Sequence, residues 1–422
     1  MSATAGLETG VEREPAGTAR RKVTLPIILI GIAVLLLLLA LIRLVTGADD
    51  IASSGTLNAA IGLAVPIGMA GLGGLWAERA GVVNIGLEGM MILGTWGAGF
   101  GGYQWGAWAG VAIGVFAGAL GGLLHALATV TFGVDHIVSG VAINILGLGA
   151  AQYLAAVAFV GKPGGGSTQS PPIPDLPAFS VPGASEFLGD IEEENWFFVS
   201  DVAAAVRAVT VNVSALTIIA IGLVIATYFI LWRTAFGLRL RSCGENPFAA
   251  ESLGVNVYKY KYYAVVVSGA LAGLGGVFLA IVAASAYRDG QTGGRGFIGL
   301  AAMIFGNWRP GGLAAGAGLF GYTDALQLRR GGESVHALLL AVAVGLFAVA
   351  VLQVVRRRQV QAALAAAFAL AFLIWFLTTD EVPGDFTGLT PYLTTLLVLS
   401  LAAQRLRMPA ADGLIFRRGQ GG

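Results

Sequence analysis

Long uninterrupted apolar runs recur along the chain, and they constrain its fold more than any other feature. The first, residues 25–45, can cross a bilayer core of about 30 Å at about 1.5 Å per residue. A water-soluble domain could not bury so many runs, since 56% of the 422 residues are hydrophobic and only 12% are charged. The sequence therefore predicts an all-α polytopic membrane protein with about 10–12 transmembrane segments. The other runs are 55–76, 85–102, 107–130, 136–160, 211–232, 262–285, 335–354, 360–378 and 388–403.

The charges between the runs give each span a direction by the positive-inside rule. Basic residues precede the first run, and the loop at about 233–261 is basic, so both are expected to be cytoplasmic. The loop at about 161–205 is rich in Gly and Pro and then acidic, so it is expected to be external. The resulting plan has a cytoplasmic N-terminal tail at 1–24, a transmembrane domain at 25–403 and a cytoplasmic tail at 404–422.

Charge and motif content exclude several other classes of protein. The net charge of +1 argues against a nucleic-acid partner. The single cysteine, Cys243, cannot form an internal disulfide, and the sequence has no Cys/His cluster, so neither a metal site nor another cofactor is expected. No Gly-x4-Gly-Lys-Ser/Thr pattern or other enzyme signature occurs, so the chain is expected to be no enzyme and to hydrolyse no ATP itself.

The region 297–327 breaks the regular alternation of spans. The arginines after residue 354 are expected to be cytoplasmic, and this requires 297–327 to begin and end on the same side of the membrane. One straight helix would end on the opposite side. A pair of half-helices would meet the requirement, with a break at Asn307-Trp308-Arg309-Pro310-Gly311-Gly312, where proline and paired glycines favour interruption. Broken helices at membrane depth usually line a pathway.

Polar residues inside the spans are the candidates for contact with a polar solute, because each is costly in lipid. Asn84 and Glu88 are four residues apart, hence on one helical face, between glycines that weaken a regular helix. The alternative is a buried Asn/Glu pair that holds two helices together. For Asn144, interhelical hydrogen bonding is as good an interpretation as contact with the solute. The full set of candidate pathway residues is Asn84, Glu88, Asn144, Asn307, Trp308 and Asp324.

The basic loop contains a short helix that is capped at both ends. Asn246 can be its N-cap with Pro247 at the first helical position, and Gly254 can end it in a left-handed conformation. A helix of about two turns is unstable alone, so it should dock onto something. The alternative is a solvated connector.

Three stretches together resemble a known family of membrane proteins. The first is Gly244-Glu245-Asn246-Pro247-x-Ala249-Ala250-x-x-x-Gly254-Val255, followed by Ser268-Gly269-Ala270-Leu271-Ala272-Gly273. It resembles the inner-membrane permease family of bacterial ABC importers for branched-chain amino acids, ribose and related solutes. The second and third, at 78–89 and 299–308, look like the simple-sugar and nucleoside branch of that family. The resemblance covers about 55–330.

The resemblance implies a permease subunit in the bacterial plasma membrane that forms the pathway for nucleosides or a related simple-sugar solute. Its implied partners are cytoplasmic ABC ATPase subunits, a second permease chain in a homo- or heterodimer, and an external solute-binding lipoprotein. The ATPase would receive the short helix through Gly244, Glu245, Asn246, Pro247, Ala249, Ala250 and Gly254.

An ion-coupled secondary transporter is the alternative function. It would use Glu88 and Asp324 as proton sites, and broken helices occur in such carriers too. The capped helix in the basic loop argues against it, because such a carrier needs no docking element. A non-transporting membrane scaffold would leave the intramembrane polar residues unexplained.

Overall fold

The computed structural model describes residues 25–329, 331–383, 386 and 406–419. In chain order its helices are α1 (Leu25–Thr46), α2 (Ser54–Arg79), α3 (Leu87–Trp105), α4 (Ala107–Ala126), α5 (His136–Phe159), α6 (Ala184–Glu193), α7 (Val199–Thr210), α8 (Ala215–Arg233), α9 (Ala235–Glu245), α10 (Pro247–Ser252), α11 (Val257–Phe278), α12 (Arg295–Phe305), α13 (Pro310–Leu328), α14 (Gly331–Val355) and α15 (Gln359–Thr378). Single π-helical turns extend α4 over Leu127–Thr131 and α11 over Leu279–Ala283.

These helices confirm the prediction of an all-α membrane protein. In the described ranges, seven are long and apolar enough to cross a membrane, namely α2, α4, α5, α8, α11, α14 and α15. Three further helices, α1, α3 and α13, have 22, 19 and 19 residues and are also long enough to cross a membrane. The span expected at 388–403 and the tail at 1–24 lie outside the described residues.

The centre of the bundle is formed by α2 and α11, which are buried along most of their length. Around them, α5 is buried only along the narrow stripe that faces α3, while α14 and α15 expose most of their apolar side chains. In a membrane protein, such apolar outer faces meet lipid or another membrane subunit rather than water.

Glycines allow the tightest crossing, where α4 meets α11. A Cβ on Gly118 would collide with the carbonyl oxygen of Gly269, and a Cβ on Gly269 would collide with that of Gly118. Small residues at such positions let two backbones approach closely, which is how helices attract each other in lipid. The close α4–α11 contact therefore requires residues without a side chain at these two positions.

The two ends of the bundle differ in charge, and they are named here by their loops. The acidic-loop end carries α6, α7 and a short antiparallel pair, β1 (Ala178–Phe179) and β2 (Val213–Ser214). The basic-loop end carries α9 and α10. The sequence predicts loops in both regions, with one short helix inside the basic loop. The structure adds three helices, α6, α7 and α9, at the ends of the spans.

Ion pairs hold the acidic-loop end together. The Arg43 guanidinium lies 3.3 Å from the buried Asp201 carboxylate, and Arg207 donates to Glu192 at 2.9 Å. Burial would raise the pKa of Glu192, but hydrogen bonds from the backbone N–H of Ser54 and from Arg207 outweigh it and lower that pKa below its ordinary value. The acidic side chains thus have specific partners on α1, α2 and α7.

We predict that Gly269→Val separates α4 from α11. Filling a close crossing costs about 1–3 kcal/mol or more, so the melting temperature in mild detergent should fall by several degrees and less protein should elute as a single peak. The matched control is Gly149→Val on α5, where an added Cβ would meet nothing within 4 Å. Equal melting temperatures for the two variants would contradict this account.

Candidate functional site

Two segments inside the bundle leave the helical conformation. The first, 82–86, follows α2, which ends in a left-handed Gly81 with bonds from Val82 N–H to the Ala77 carbonyl and from Gly81 N–H to the Glu78 carbonyl. The second, 284–294, follows the π-helical turn of α11 and leads into α12. These two segments are called the unwound segments below.

Packing shows that both unwound segments end well inside the membrane. Gly299 of α12 lies against Gly71 of α2, eight residues before that helix ends, which is about 12 Å along its axis. The 11 residues of α12 span about 16 Å, so its N-terminus lies roughly half-way across a core of about 30 Å. Glu88, in the first turn of α3, lies at the same depth because it contacts that N-terminus.

The backbone of 82–86 is satisfied by side chains from other helices. The ring of His136 accepts from the Val83 N–H at 3.2 Å, and the ring of His125 bonds the Val83 carbonyl at 3.0 Å. Asn144 donates to the Ile85 carbonyl at 3.0 Å and accepts from the Gly89 N–H at 2.7 Å. Each of these contacts replaces a helical bond that the segment has lost.

Asn84 is fully buried and faces the bundle centre. Its amide donates to the Ser268 hydroxyl on α11 at 2.8 Å, and its oxygen accepts from the Gly86 N–H at 3.0 Å. Asn84 therefore connects the unwound segment to a central helix. In this conformation it does not line an open surface.

The Glu88 carboxylate caps the N-terminus of α12. One oxygen accepts from the Gly294 N–H at 2.9 Å and the other from the Gly296 N–H at 2.7 Å. A helix N-terminus carries partial positive charge and free N–H groups, so it stabilises a carboxylate there. Glu88 is 8% exposed, and it joins the two unwound segments at one point.

An ion pair lies beside this junction. The Arg295 guanidinium is 3.5 Å from the Asp324 carboxylate on α13, and it also donates to the carbonyls of Gln291 and Thr292. Their side chains are 22% and 15% exposed, so the pair borders a surface rather than filling the core. Each charge compensates the other at membrane depth.

The second unwound segment presents a polar surface outward. Gly290 and Gly293 are exposed with positive φ, and a Cβ on Gly290 would meet open space. Nearby, Gln152 of α5 donates to the Asp289 carboxylate at 3.0 Å. The Ser170 N–H donates to the Tyr287 carbonyl and the Asp289 N–H to the Thr168 carbonyl, so the first half of this segment lies against the acidic loop.

A second polar cluster lies at the basic-loop end, where α12 turns into α13. The Arg79 guanidinium donates twice to the Trp308 carbonyl, at 3.0 and 2.7 Å, and the Trp308 indole donates to the Glu78 carboxylate. Asn307 and Trp308 both have positive φ, which is strained for residues with side chains. These contacts hold the strained turn against the end of α2.

The structure thus separates the predicted pathway residues into two groups. Glu88, Asn144 and Asp324 lie around the junction of the unwound segments, with Asn84 buried behind them. Asn307 and Trp308 lie at the other end of α12. The contacts of His125, His136 and Arg295 could not be predicted from the sequence, because their backbone and ion-pair partners are far apart in the chain.

The predicted short helix is α10, and its caps are confirmed. The Asn246 side chain accepts from the Ala249 N–H at 3.0 Å, and Gly254 has φ +81°. The Val255 and Gly254 N–H groups bond the carbonyls of Ala250 and Glu251. Leu253 at the tip is 85% exposed, so α10 presents an apolar residue away from the bundle.

Gly244 explains how this loop is attached to the spans. A Cβ there would collide with the Arg79 carbonyl, so α9 ends directly on the end of α2. The Glu245 carboxylate is 3.8 Å from the Arg79 guanidinium. Pro247 and Ala250 are buried beneath α10, whereas Ala249 is exposed. Among the described residues, no group of three or more His, Cys, Asp or Glu is placed to hold a metal ion.

A bundle with discontinuous helices around a polar junction, and a capped helix outside the membrane, is typical of membrane transport permeases. Comparison with known sequences agrees. The family described as branched-chain amino acid transport system / permease component matches residues 56–332, and the chain belongs to this family.

Individual relatives give a finer comparison. The guanosine ABC transporter permease protein NupQ of Bacillus subtilis is 40% identical over 274 residues, which cover 63% of this chain and 79% of that protein. The nucleoside ABC transporter permease protein NupC of Lactococcus lactis is 30% identical over 357 residues, covering 83% and 92%. The putative glucose ABC transporter permease protein TsgC13 of Haloferax volcanii is 33% identical over 283 residues, which cover 66% of this chain and 78% of that protein. No solved structure matches the chain.

We predict that Arg295→Gln and Asp324→Asn each lower the melting temperature more than the double variant does. Each single change leaves a partly buried charge without its partner, whereas the double change leaves none. Melting of the purified protein in detergent tests this, with the exposed Arg288→Gln as the control for loss of one positive charge. A double variant less stable than both single variants would contradict the pairing.

Proposed function

We propose that this chain is the permease subunit of an ABC importer that carries nucleosides or a closely related sugar-bearing solute. The observation that supports the solute class is the similarity to two permeases named for guanosine and for nucleosides. The family membership supports the transport role. The chain then contributes a pathway, and a partner subunit hydrolyses ATP.

The polar junction supports a solute path along the second unwound segment. Its exposed backbone at Gly290 and Gly293, the flanking Asn144 and the Arg295–Asp324 pair offer donors and acceptors to hydroxyl and base groups. Glu88 acts through this surface by holding Gly294 and Gly296 in place. Asn84 supports the first unwound segment through its bond to Ser268 and does not contact the solute. Asn307 and Trp308, in the turn between α12 and α13, form a gate that closes the path at the basic-loop end.

The basic-loop end fits an ATPase partner. The exposed Leu253 and Ala249 of α10 form the face that a cytoplasmic ABC ATPase subunit would receive. In this orientation both chain termini are cytoplasmic. An external solute-binding lipoprotein would then meet the acidic-loop end, and a second permease chain, identical or related, would complete the path.

The role of Glu88 is tested by Glu88→Gln. The amide retains one acceptor oxygen and presents an NH₂ group to the other backbone N–H, so a charge-assisted bond worth about 1.5–3 kcal/mol is lost. We expect uptake of labelled guanosine to fall about ten-fold or more, with the protein level in the membrane unchanged. The exposed Glu186→Gln in the acidic loop is the control. Normal uptake by Glu88→Gln would remove Glu88 from the pathway.

The ATPase interface is tested by Leu253→Asp. A charge at the centre of an apolar contact is costly to desolvate, so a P-loop ATPase that co-purifies with the unchanged chain should be lost from the eluate. The control is Gln359→Asp, an exposed residue at the same end of the bundle, after α14. An unchanged chain that is purified alone and moves solute in vesicles without ATP would overturn the proposed function and favour the ion-coupled carrier.

A further inference from the structure

The described part of the C-terminal tail, 406–419, lies outside the residues that match the family and folds back onto the basic-loop end. It has no helix or strand, so side-chain and backbone contacts hold it in place. The contacts reach the basic loop, the end of α2 and the turn between α12 and α13. This segment is called the tail strap below.

One end of the tail strap is attached to α10. Phe416 is 6% exposed, and its ring lies 5.2 Å from that of Phe248 on α10 and 5.5 Å from that of Tyr258 on α11. Arg418 donates to the Glu251 carboxylate at 3.0 Å, although this exposed pair contributes little by itself. The aromatic packing is thus the main attachment at this end.

The other end is attached to the strained turn. The Arg407 N–H donates to the Asn307 side-chain oxygen at 2.8 Å. Asn307 is followed directly by Trp308, whose carbonyl and indole are bound by Arg79 and Glu78. The tail strap therefore meets the gate residues themselves.

In the middle of the tail strap, Ala411 is buried and Asp412 is half-buried. The Ala411 N–H donates to the Gly244 carbonyl at 2.8 Å. The half-buried carboxyl group of Asp412 lies beside Glu78 at the end of α2, and burial raises the pKa of Asp412 to about 7. A segment that were merely a solvated end would not bury a carboxyl group.

We propose that the tail strap positions the turn at 306–309 relative to α10, so that movement of α10 is passed to the gate at Trp308. This rests on the proposed function, in which an ATPase moves α10. The contacts form one continuous connection from Phe416 through Ala411 and Asp412 to Arg407. The tail strap is a positioning element and touches no solute.

Phe416→Ala in the reconstituted importer tests the proposal. We expect the ATPase to co-purify and to hydrolyse ATP as before, while the guanosine transported per ATP hydrolysed falls about five-fold or more. Phe416→Leu keeps an apolar side chain between α10 and α11 and should restore most of that ratio. Met408→Ala, which changes an exposed tail residue, should leave the ratio unchanged.

Two further variants examine the connection independently of Phe416. Removal of 406–422 should reproduce the loss of transport per ATP. Asn307→Gly introduces a residue that tolerates positive φ but removes the acceptor for the Arg407 N–H. It should therefore also lower the amount of guanosine transported per ATP hydrolysed. Agreement of these variants with Phe416→Ala supports the tail strap.

Two outcomes would overturn the proposal. If transport per ATP is unchanged in Phe416→Ala and in the truncated chain, the tail strap carries no movement. If these variants instead lose the ATPase from the eluate, the tail serves docking and not transmission. Failure of the proposed function is recognised separately, since the unchanged chain would then retain no ATPase at all.

Discussion

The structure depends on one constraint, which is that backbone N–H and C=O groups inside a membrane must find partners. The chain violates helical continuity at 82–86 and 284–294, and the side chains around these segments compensate. Asn144 and the two histidines serve the first segment, and Glu88 serves the start of α12. The polar junction therefore exists because the helices are broken there, and its polar outer surface follows from the same break.

Helix α12 connects the two polar regions of the protein. Its N-terminus is capped by Glu88 at about half the membrane depth, and its C-terminal turn is bound by Glu78 and Arg79. A helix of 11 residues is stiff over its length of about 16 Å, so a displacement at Trp308 would reach Gly294. Gating movements in proteins commonly use such rigid elements between two packed arrangements. The geometry thus links the basic-loop end to the proposed solute path through a single element.

Local signals in the sequence predicted local features correctly. Asn246, Pro247 and Gly254 specify both ends of α10, and the break before Pro310 falls between α12 and α13. Features that depend on distant partners were not predictable in this way. Asn84 bonds Ser268, which lies 184 positions away, and nothing near His125 in the sequence indicates that it serves the Val83 carbonyl. The helices α6 and α7 escaped prediction because their charges, which indicate a loop, are compensated by Arg43 and Arg207.

The charge balance at the junction bears on the kind of solute that the path suits. Arg295 is paired with Asp324, and the Glu88 side chain is bound by backbone N–H groups rather than by a cation. A phosphorylated solute would bring two further negative charges next to Glu88 in a region of low dielectric, where repulsion is strong. An uncharged nucleoside would bring no charge there, and its hydroxyl and base groups could bond the exposed backbone at Gly290 and Gly293. On the proposed solute path, this charge balance would favour neutral polar solutes over their phosphates.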